Sequence, residues 1–340
     1  MTSSTSSSDS ARPRWLYVWA LALAVTLVIV GGWEILARSA GLGPEYIDNR
    51  SLWVSERHRL NRHGNNAVAL LGASRIQYAV DVDAMSKALG RPVVQLGVEG
   101  TSALATLENL AADPRFTGTV IFSVAPAFTF NRILPRITTG KQREWTEFYL
   151  DQSRSRQMEQ SLRLRLQGLL AFRSPDANLE RVVPALIATG SLPGPDEKTT
   201  LGNRVIRLDY SRAPAQQNEL GMVQFYLENS IPYPDDEFTV ILNYMDAMVT
   251  ALNNKGANVV FVRLPSSNEV YAVESVFYPK ARYWDRMQQQ LDATFIHADD
   301  YPEMQGYVGG DGSHVGSEHA TAFTDILTRI LQDSGAISPR

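Results

Sequence analysis

The chain has 340 residues, of which 44% are hydrophobic and 20% are charged, which is enough for one large domain or two small ones. Its formal net charge of −4 and its lack of a basic tract give no reason to expect nucleic acid as a partner. It contains no cysteine, which excludes disulfides, thiolate zinc sites and a cysteine nucleophile.

The N-terminal segment has the pattern of a membrane anchor. A Ser/Thr-rich stretch opens the chain, and we predict a disordered tail over residues 1–14. Trp15 to Trp33 then contains no charged residue, and a helix of this length crosses a hydrocarbon core of roughly 30 Å. We therefore predict a transmembrane helix over residues 15–37. A cleaved signal peptide is the alternative, but the apolar stretch exceeds the usual length and no A-x-A site follows it.

The charges that flank this helix predict its orientation. Arg12 and Arg14 precede the apolar stretch, whereas Glu34 and Arg38 follow it. Because positive charge is retained on the cytoplasmic side, we expect a cytoplasmic N-terminus and an extracytoplasmic remainder. In a bacterium the protein would be a single-pass protein of the inner membrane that faces the periplasm. Residues 38–65 resemble a linker with a short amphipathic element.

Two parts of the remaining chain alternate short apolar runs with amphipathic helical segments. The predicted strands are 67–74, 92–100, 118–126, 257–265 and 293–299. The predicted helices are 80–90, 101–113, 238–256, 280–292 and 317–332. This alternation predicts an α/β fold, with a doubly wound, mostly parallel five-stranded sheet formed by residues 66–126 and 238–335.

Between these two parts, residues 127–237 are polar, helical and loop-rich, and we interpret them as an insertion or cap. Within this segment, LRLRLQGLLAFR (162–173) alternates Arg and Leu before it becomes apolar. The simpler interpretation is a solvated surface helix of the cap. The alternative is a surface that rests on anionic lipid or on a membrane partner.

Polar residues with catalytic chemistry follow the ends of the predicted strands. Ser74 follows the first strand, and Asp311 and His314 follow the last. In an open parallel sheet the ligand site lies outside the carboxyl ends of the strands. A serine becomes a nucleophile when a base accepts its proton and an acid orients that base. We therefore predict that Ser74 is the nucleophile, His314 the base and Asp311 the acid.

The same region offers further candidates and one alternative. The backbone amides of Ser74 and of Gly97 or Gly100 are candidate donors to an oxyanion. Arg263 and Asn268 follow the fourth strand and are candidate substrate contacts, although RLPSSN also fits a polar turn. His319 with Asp311 and His314 suggests a metal trio, but the missing fourth ligand disfavours it, and we expect no cofactor.

The pattern G-x-S-[RN] at residues 72–75, a glycine after the second strand and D-x-x-H at residues 311–314 together resemble the SGNH (GDSL-like) hydrolase superfamily. The resemblance covers roughly residues 66–126 and 238–332. It implies that Ser74 is the nucleophile, that Asp311 and His314 are the acid and base, and that Gly97 is the second-block glycine.

The third block departs from that family. Ser123-Val124-Ala125-Pro126 stands where the family has G-x-N-D, so the asparagine donor to the oxyanion is missing. Removing one such donor commonly costs about 10²–10³ in rate. Arg75, Ser123 or Asn268 are the candidates to replace it.

With the membrane helix, the chain resembles a branch of cell-surface acyl-transfer proteins. In that branch an integral membrane O-acyltransferase passes an acyl group across the bilayer, and a tethered SGNH-like partner delivers it to an exported polysaccharide or teichoic acid. The resemblance implies an acyl group, acetyl by expectation, that Ser74 holds transiently. A plain carbohydrate or lipid esterase and a non-catalytic accessory subunit of a membrane complex are the alternatives.

Overall fold

The computed structural model describes residues 12–132, 134–212 and 218–337, with the side chains at 12, 13, 134–139 and 268 left out. Most of the predicted tail over residues 1–14 therefore lies outside the described residues. The strands are β1 (Val68–Leu71), β2 (Val93–Gln95), β3 (Thr119–Ser123), β4 (Lys198–Thr200), β5 (Ile206–Leu208), β6 (Asn258–Arg263) and β7 (Thr294–His297).

The α-helices of the described chain are α1 (Arg12–Ser39), α2 (Arg50–His63), α3 (Ser74–Ala79), α4 (Val82–Leu89), α5 (Leu104–Ala112), α6 (Pro126–Thr129), α7 (Leu134–Leu150), α8 (Arg154–Gln167), α9 (Leu179–Thr189), α10 (Glu219–Asn229), α11 (Asp235–Asn253), α12 (Asn268–Phe277), α13 (Trp284–Gln290) and α14 (Ala320–Asp333).

The five predicted strands form one sheet in the order β2-β1-β3-β6-β7, and every pair is parallel. The predicted α/β fold is therefore confirmed. All four residues of β1 are buried, as expected of a strand covered on both faces. Alternate side chains enter different core clusters: Val68 and Leu70 join one cluster, and Ala69 and Leu71 join the other.

The strand order puts a crevice at the carboxyl end of β1. The chain leaves β1 for β2 on one side and later returns to β3 on the other side. Such a reversal of direction is the switch point at which open α/β sheets bind ligands. Leu71, the last residue of β1, pairs with Phe122 of β3, so the two strands end almost level.

Helix α2 lies in the segment 38–65, for which we predicted a linker with a short amphipathic element. The Asn49 side chain caps this helix by accepting the amides of Ser51 and Leu52. Trp53 is fully buried in the core, and its indole nitrogen donates to the carbonyl oxygen of Leu96 at 3.0 Å. Few apolar residues therefore suffice to bury one face of a largely polar helix.

The chain divides into two compact units. The larger comprises Tyr46–Leu164 and Asp196–Arg340, and it contains the sheet. The smaller joins the N-terminal part of the chain, up to Glu45, with Arg165–Pro195. The segment 127–237, predicted as one insertion, is therefore shared between the units.

In the smaller unit, α1 is long and apolar enough to cross a membrane, a property that a signal sequence shares. Glu34 of α1 accepts the amides of Ala171 at 3.1 Å and Phe172 at 3.0 Å. Arg38 donates to the carbonyl oxygen of Leu169 at 3.1 Å. The end of α1 is therefore tied to the segment that follows α8.

In the larger unit, β4 and β5 form an antiparallel hairpin. Arg204, in its turn, is fully buried and donates to both carboxylate oxygens of Asp48 and to the carbonyl oxygen of Gln95. Because Gln95 ends β2, these bonds hold the hairpin beside the carboxyl end of the sheet. Tyr210 follows β5 and reaches the candidate site.

Candidate active site

The turn after β1 presents Ser74 as the first residue of α3. Gly72 has a φ of 150°, and a Cβ there would lie 2.8 Å from the Cβ of Ser123. A larger residue would therefore meet β3, so only glycine lets the chain turn this close to the neighbouring strand. The turn brings Ser74 to the crevice, with 9% of its surface exposed.

The loop before α14 is organised around the carboxylate of Asp311. Its Oδ1 accepts the backbone amides of Ser313 and His314, each at 2.9 Å. Its Oδ2 lies 2.7 Å from His314 Nδ1. The spacing D-x-x-H thus lets one carboxylate hold both the loop backbone and the imidazole.

The imidazole of His314 joins this loop to Ser74 across 240 residues of sequence. Its Nε2 lies 2.8 Å from Ser74 Oγ. If Nδ1–H donates to Asp311, Nε2 is left to accept the hydroxyl proton of Ser74, a tautomer assigned from the hydrogen-bond network. The structure therefore brings together the three residues that we predicted as a triad.

The Asp311 carboxyl is held in its ionised form. Burial raises its pKa, but the hydrogen bond and charge of His314 and the two backbone amides outweigh burial. The net effect is a pKa well below the ordinary value for aspartate. Asp311 is thus a carboxylate at neutral pH and can orient an imidazole.

Tyr210 is a fourth member of this arrangement that the sequence analysis missed. Its hydroxyl lies 2.8 Å from Asp311 Oδ1 and 3.0 Å from the carbonyl oxygen of His314. A Cβ at Gly309 would lie 2.0 Å from the Tyr210 ring, so the loop backbone packs directly on the ring. The Gly309-Gly310 pair was the only sequence signal of this approach.

The phenol of Tyr210 remains protonated. Burial raises its pKa, and the negative charge of Asp311 raises it further. It therefore donates to the carboxylate and does not compete with it for a proton.

Tyr78 covers the imidazole from one side. The rings of Tyr78 and His314 have centroids 4.6 Å apart at an interplanar angle of 38°. The Tyr78 hydroxyl donates to Glu99 Oε1 at 3.0 Å, and Lys198 Nζ lies 2.9 Å from the same oxygen. Helix α3 therefore supplies both the serine and a ring that limits movement of the histidine.

Arg75, beside the serine, belongs to a buried ion-pair network. Its Nη2 lies 2.8 Å from Glu274 Oε1, and its Nε donates to Ser313 Oγ at 3.1 Å. Arg263 and Ser266 also bond to Glu274, on Oε2. Arg75 is thus occupied by the protein itself, and it links α3 to α12 and to the Asp311 loop.

Glu274 is the shared anion of this network. Burial raises the pKa of its carboxyl, but the charges of Arg263 and Arg75 outweigh burial and lower the pKa to about 2. The Tyr226 hydroxyl also bonds to it. One carboxylate is therefore shared by two buried guanidinium groups next to the site.

A cavity of about 390 Å³ opens over Ser74 and His314. The apolar part of its lining is formed by Ala125, Phe128, Leu208, Met222 and Phe225. Glu99 and Lys198, which form a half-buried ion pair, also line it. The reactive groups thus lie beside an apolar wall and a charged pair.

The two predicted glycines have different environments. The Gly97 amide donates to Gln95 Oε1 at 2.9 Å, and a Cβ there would lie 2.8 Å from Ile76 Cγ2. Gly97 is therefore a close-packing residue whose amide is already bonded. Gly100 has a φ of 70° and lines the cavity. Among the described residues, no partner is found for the amides of Ser74 and Gly100.

Two other candidates, Ser123 and Arg263, do not line the cavity. Ser123 is 2% exposed, and its hydroxyl has no hydrogen-bond partner within the described part of the chain. Arg263 bonds to Glu274 and lines other clefts. Asn268 is the first residue of α12, and its side chain lies outside the described residues. Over the described ranges, no three His, Asp or Glu side chains converge as metal ligands.

Comparison with known proteins adds little to this geometry. No protein-family model matches the sequence, and no curated protein matches it either. Among solved structures, a crystal structure of TesA is similar, with 10% sequence identity and a TM-score of 0.37 over 79% of this chain and 99% of that chain. A score this low is not evidence of activity or substrate.

Proposed function

We propose that this chain is a membrane-anchored serine enzyme of the SGNH type that forms an acyl ester on Ser74, as an esterase or an O-acyltransferase. The observation that supports the proposal is the chain of hydrogen bonds from Ser74 Oγ through His314 to Asp311, at 2.8 and 2.7 Å. Both distances lie within the range for proton transfer between a nucleophile and its base.

In the first half of the reaction, Ser74 Oγ bonds to the carbonyl carbon of an ester while His314 Nε2 takes the hydroxyl proton. Asp311 stabilises the imidazolium that forms. The bond between the carbonyl carbon and the leaving alkoxy oxygen then breaks. His314 returns the proton to that oxygen, an alcohol leaves, and the acyl group remains on Ser74.

In the second half, a hydroxyl compound enters in place of the alcohol. His314 Nε2 removes its proton as its oxygen bonds to the acyl carbon. The bond to Ser74 Oγ breaks, and the proton returns to Ser74. If the entering compound is water the products are an acid and free enzyme, whereas a glycan hydroxyl yields a new ester.

The negative charge that develops on the carbonyl oxygen requires donors. The backbone amides of Ser74 and Gly100 are the available pair, because Gly97 donates to Gln95 and Arg75 bonds to Glu274. Two backbone donors are a common composition of an oxyanion hole. In the enzymatic proposal this pair takes the role of the missing third-block asparagine.

The cavity lining offers separate places for the acyl part and the alcohol part of an ester substrate. The apolar wall that includes Phe128, Met222 and Phe225 suits an acyl chain longer than the acetyl group that the resemblance implies. The Glu99–Lys198 pair suits the polar alcohol or sugar part of the ester. We propose an exported polysaccharide as the acceptor and a membrane-bound O-acyltransferase as the acyl donor.

The proposed location follows from α1. A helix long and apolar enough to cross a membrane, with Arg14 directly before its apolar stretch, supports a single-pass anchor with a cytoplasmic N-terminus. In a bacterium this orientation would put Ser74 in the periplasm, where exported polysaccharides are modified.

Labelling of the full chain with a fluorophosphonate, which reacts with activated serines, tests the nucleophile. Labelling is expected for the wild type and for Ser317→Ala, which removes a nearby loop hydroxyl outside the cavity lining. It is expected to vanish for Ser74→Ala. Labelling that persists in Ser74→Ala, or is absent from the wild type, would reject the assignment.

The acceptor is tested by the fate of the acyl group. The full chain is given an activated ester with a radiolabelled acyl group, with and without an oligosaccharide. Transfer to the sugar that disappears in Ser74→Ala would favour an acyltransferase. Release of free acid alone, whatever the oligosaccharide, would favour an esterase.

The loss of the third-block asparagine favours a second candidate, a non-catalytic accessory subunit. Ala125 lines the cavity where the family has a side-chain donor. Complementation of a deletion strain separates the two candidates. If the Ser74→Ala variant restores polysaccharide modification, the accessory role is supported and the enzymatic one fails.

A further inference from the structure

We infer that helix α9 lies in the membrane surface, with one apolar face in the lipid beside the end of α1. The inference rests on the proposed membrane anchoring by α1. It concerns a part of the chain that the proposed chemistry does not use. All of the residues involved belong to the smaller unit.

The helix is amphipathic, and its apolar face is uncovered. Leu179, Val183, Leu186 and Ile187 are 63%, 46%, 40% and 82% exposed. Their spacing of i, i+4, i+7 and i+8 places them in one stripe about 100° wide. Val182, which points elsewhere, is 1% exposed. The helix therefore buries one side in the protein and presents a second apolar side to its surroundings.

The sequence around this face resembles an interfacial segment. Residues 182–195 contain no charged side chain. An uncharged stretch of about 10–14 residues is typical of a buried core helix or of a segment in the membrane interface. Because the apolar face of α9 is exposed, a core helix is excluded within the described structure. Exposed apolar patches of this kind mark interaction surfaces.

The connection to α1 indicates that lipid covers the apolar face of α9. The apolar stretch of α1 ends at Trp33, and Glu34, the next residue, accepts the amides of Ala171 and Phe172. Ala37 and Leu42 pack with Ala171 in one small core. With a rise of about 1.5 Å per residue, Glu34 and Ala37 lie within about 6 Å of the end of the apolar stretch. This part of the smaller unit is therefore at the level of the headgroups when α1 spans the bilayer.

Helix α9 is fastened to the same small core. Asn178 caps it by accepting the amide of Glu180 at 3.2 Å, and Arg181 pairs with Asp176. Ala177, directly before the cap, is buried against the α1 contact. The only charged residues of α9, Glu180 and Arg181, are in its first turn. The remaining turns thus have no charged side chain.

Exposed neighbours of the same unit fit a membrane surface. Leu166 and Leu169 are 40% and 65% exposed, and Arg165 and Arg173 beside them are also exposed. Apolar side chains enter the acyl boundary, and arginines bind the phosphates of anionic lipids. The combination favours a bilayer over an apolar protein partner.

The absence of cysteine from the chain allows a direct test. Single cysteines at Ile187→Cys, at its neighbour Ala188→Cys and at Val25→Cys in α1 are spin-labelled in the full chain. The chain is reconstituted into nanodiscs of phosphatidylcholine and phosphatidylglycerol. Oxygen, which concentrates in lipid, and a nickel chelate, which stays in water, then report the surroundings of each label.

The expected result is a ratio of oxygen to chelate accessibility several-fold higher at Ile187 than at Ala188, which lies about 100° further round the helix. Equal chelate access at both positions would overturn the inference. Dipolar broadening between Ile187 labels would also overturn it, because a second copy would then cover the face. The Val25 label separates the two proposals: if it contacts water, the anchoring itself fails.

Discussion

The hydroxyl of Tyr210 donates to Asp311 Oδ1 at 2.8 Å across 101 residues, on the carboxylate whose other oxygen bonds to His314. Tyr210 follows the β4–β5 hairpin, so a segment outside the alternating α/β pattern reaches the acid of the candidate triad. The acid is therefore positioned from two parts of the chain, its own loop and the hairpin.

Replacing Tyr210 with Phe is expected to lower kcat about 10–100-fold and to change KM little. A hydrogen bond to a charged group contributes about 1.5–3 kcal/mol, and each 1.4 kcal/mol is tenfold in rate. Tyr210 is not among the residues that line the cavity, so binding of the ester is expected to persist. Steady-state kinetics with an activated ester measure both constants.

The control for this variant is Tyr271→Phe, which removes a hydroxyl bonded to a different aspartate, Asp299. Its kinetic constants are expected to match those of the wild type. Equal losses in both variants would mean that the effect is general destabilisation and that Tyr210 has no positioning role.

Replacing Asp311 with Asn is expected to lower kcat by about 10⁴, the loss found when the acid of a Ser-His-Asp triad becomes neutral. The amide keeps the size of the side chain but cannot stabilise an imidazolium. The matched control is Asp325→Asn, on the exposed side of α14. An activity loss below about tenfold in Asp311→Asn would contradict the assigned role.

The sheet was predictable because its strands are short apolar runs bounded by turns, a pattern that burial on both faces imposes. Ser74, Asp311 and His314 were also predictable as a group. Parallel strands end at one edge of the sheet, so residues that follow different strands meet there. The distance between Ser74 Oγ and His314 Nε2 could be obtained only from the structure.

The surroundings of the site were not predictable from one sequence. Glu274 is a single acidic residue in the middle of α12, and no local pattern shows that it meets Arg75 and Arg263. Gly97 matched a family position, yet its amide bonds to a side chain two residues earlier, Gln95. Side-chain contacts of this kind depend on packing, which spacing does not encode.

Replacing Glu274 with Gln is expected to lower the free energy of unfolding by about 3–5 kcal/mol at pH 7, because two buried guanidinium groups lose their counter-ion. The wild-type pKa of about 2 lies below the ordinary value of 4.5. A depressed folded-state pKa stabilises the fold above about pH 4.5, and this contribution is lost as the pH falls towards 2. As the pH falls from about 4.5 towards 2, the free energy of unfolding is therefore expected to fall less in Glu274→Gln than in the wild type.

Denaturant unfolding measured between pH 7 and pH 2 tests this prediction. Glu269→Gln, an exposed acid in the first turn of the same helix, is the control. It is expected to unfold with the stability and pH dependence of the wild type. A Glu274→Gln variant with an unchanged pH dependence would show that the carboxylate is not held ionised by the arginines.

Replacing Ser123 with Ala is expected to raise the melting temperature and leave kcat unchanged. Its hydroxyl is buried without a partner in the described part of the chain, and an unbonded buried hydroxyl costs about 1–3 kcal/mol. If Ser123 were the replacement oxyanion donor, as the sequence suggested, kcat would instead fall about 10²–10³-fold. Calorimetry and ester kinetics on one preparation separate these outcomes.

The apolar wall of the cavity predicts how the rate depends on the acyl chain. Each methylene that becomes buried contributes about 0.8 kcal/mol, or about fourfold in kcat/KM. Along a series of activated esters from acetyl to octanoyl, kcat/KM is therefore expected to rise until the cavity is filled.

Phe225→Ala is expected to flatten this rise by removing part of the wall, while acetyl ester turnover changes less. The acetyl rate is thus an internal control for folding. A wild-type rate that is highest for acetyl would show that the wall does not bind the acyl chain and would restore acetyl as the transferred group.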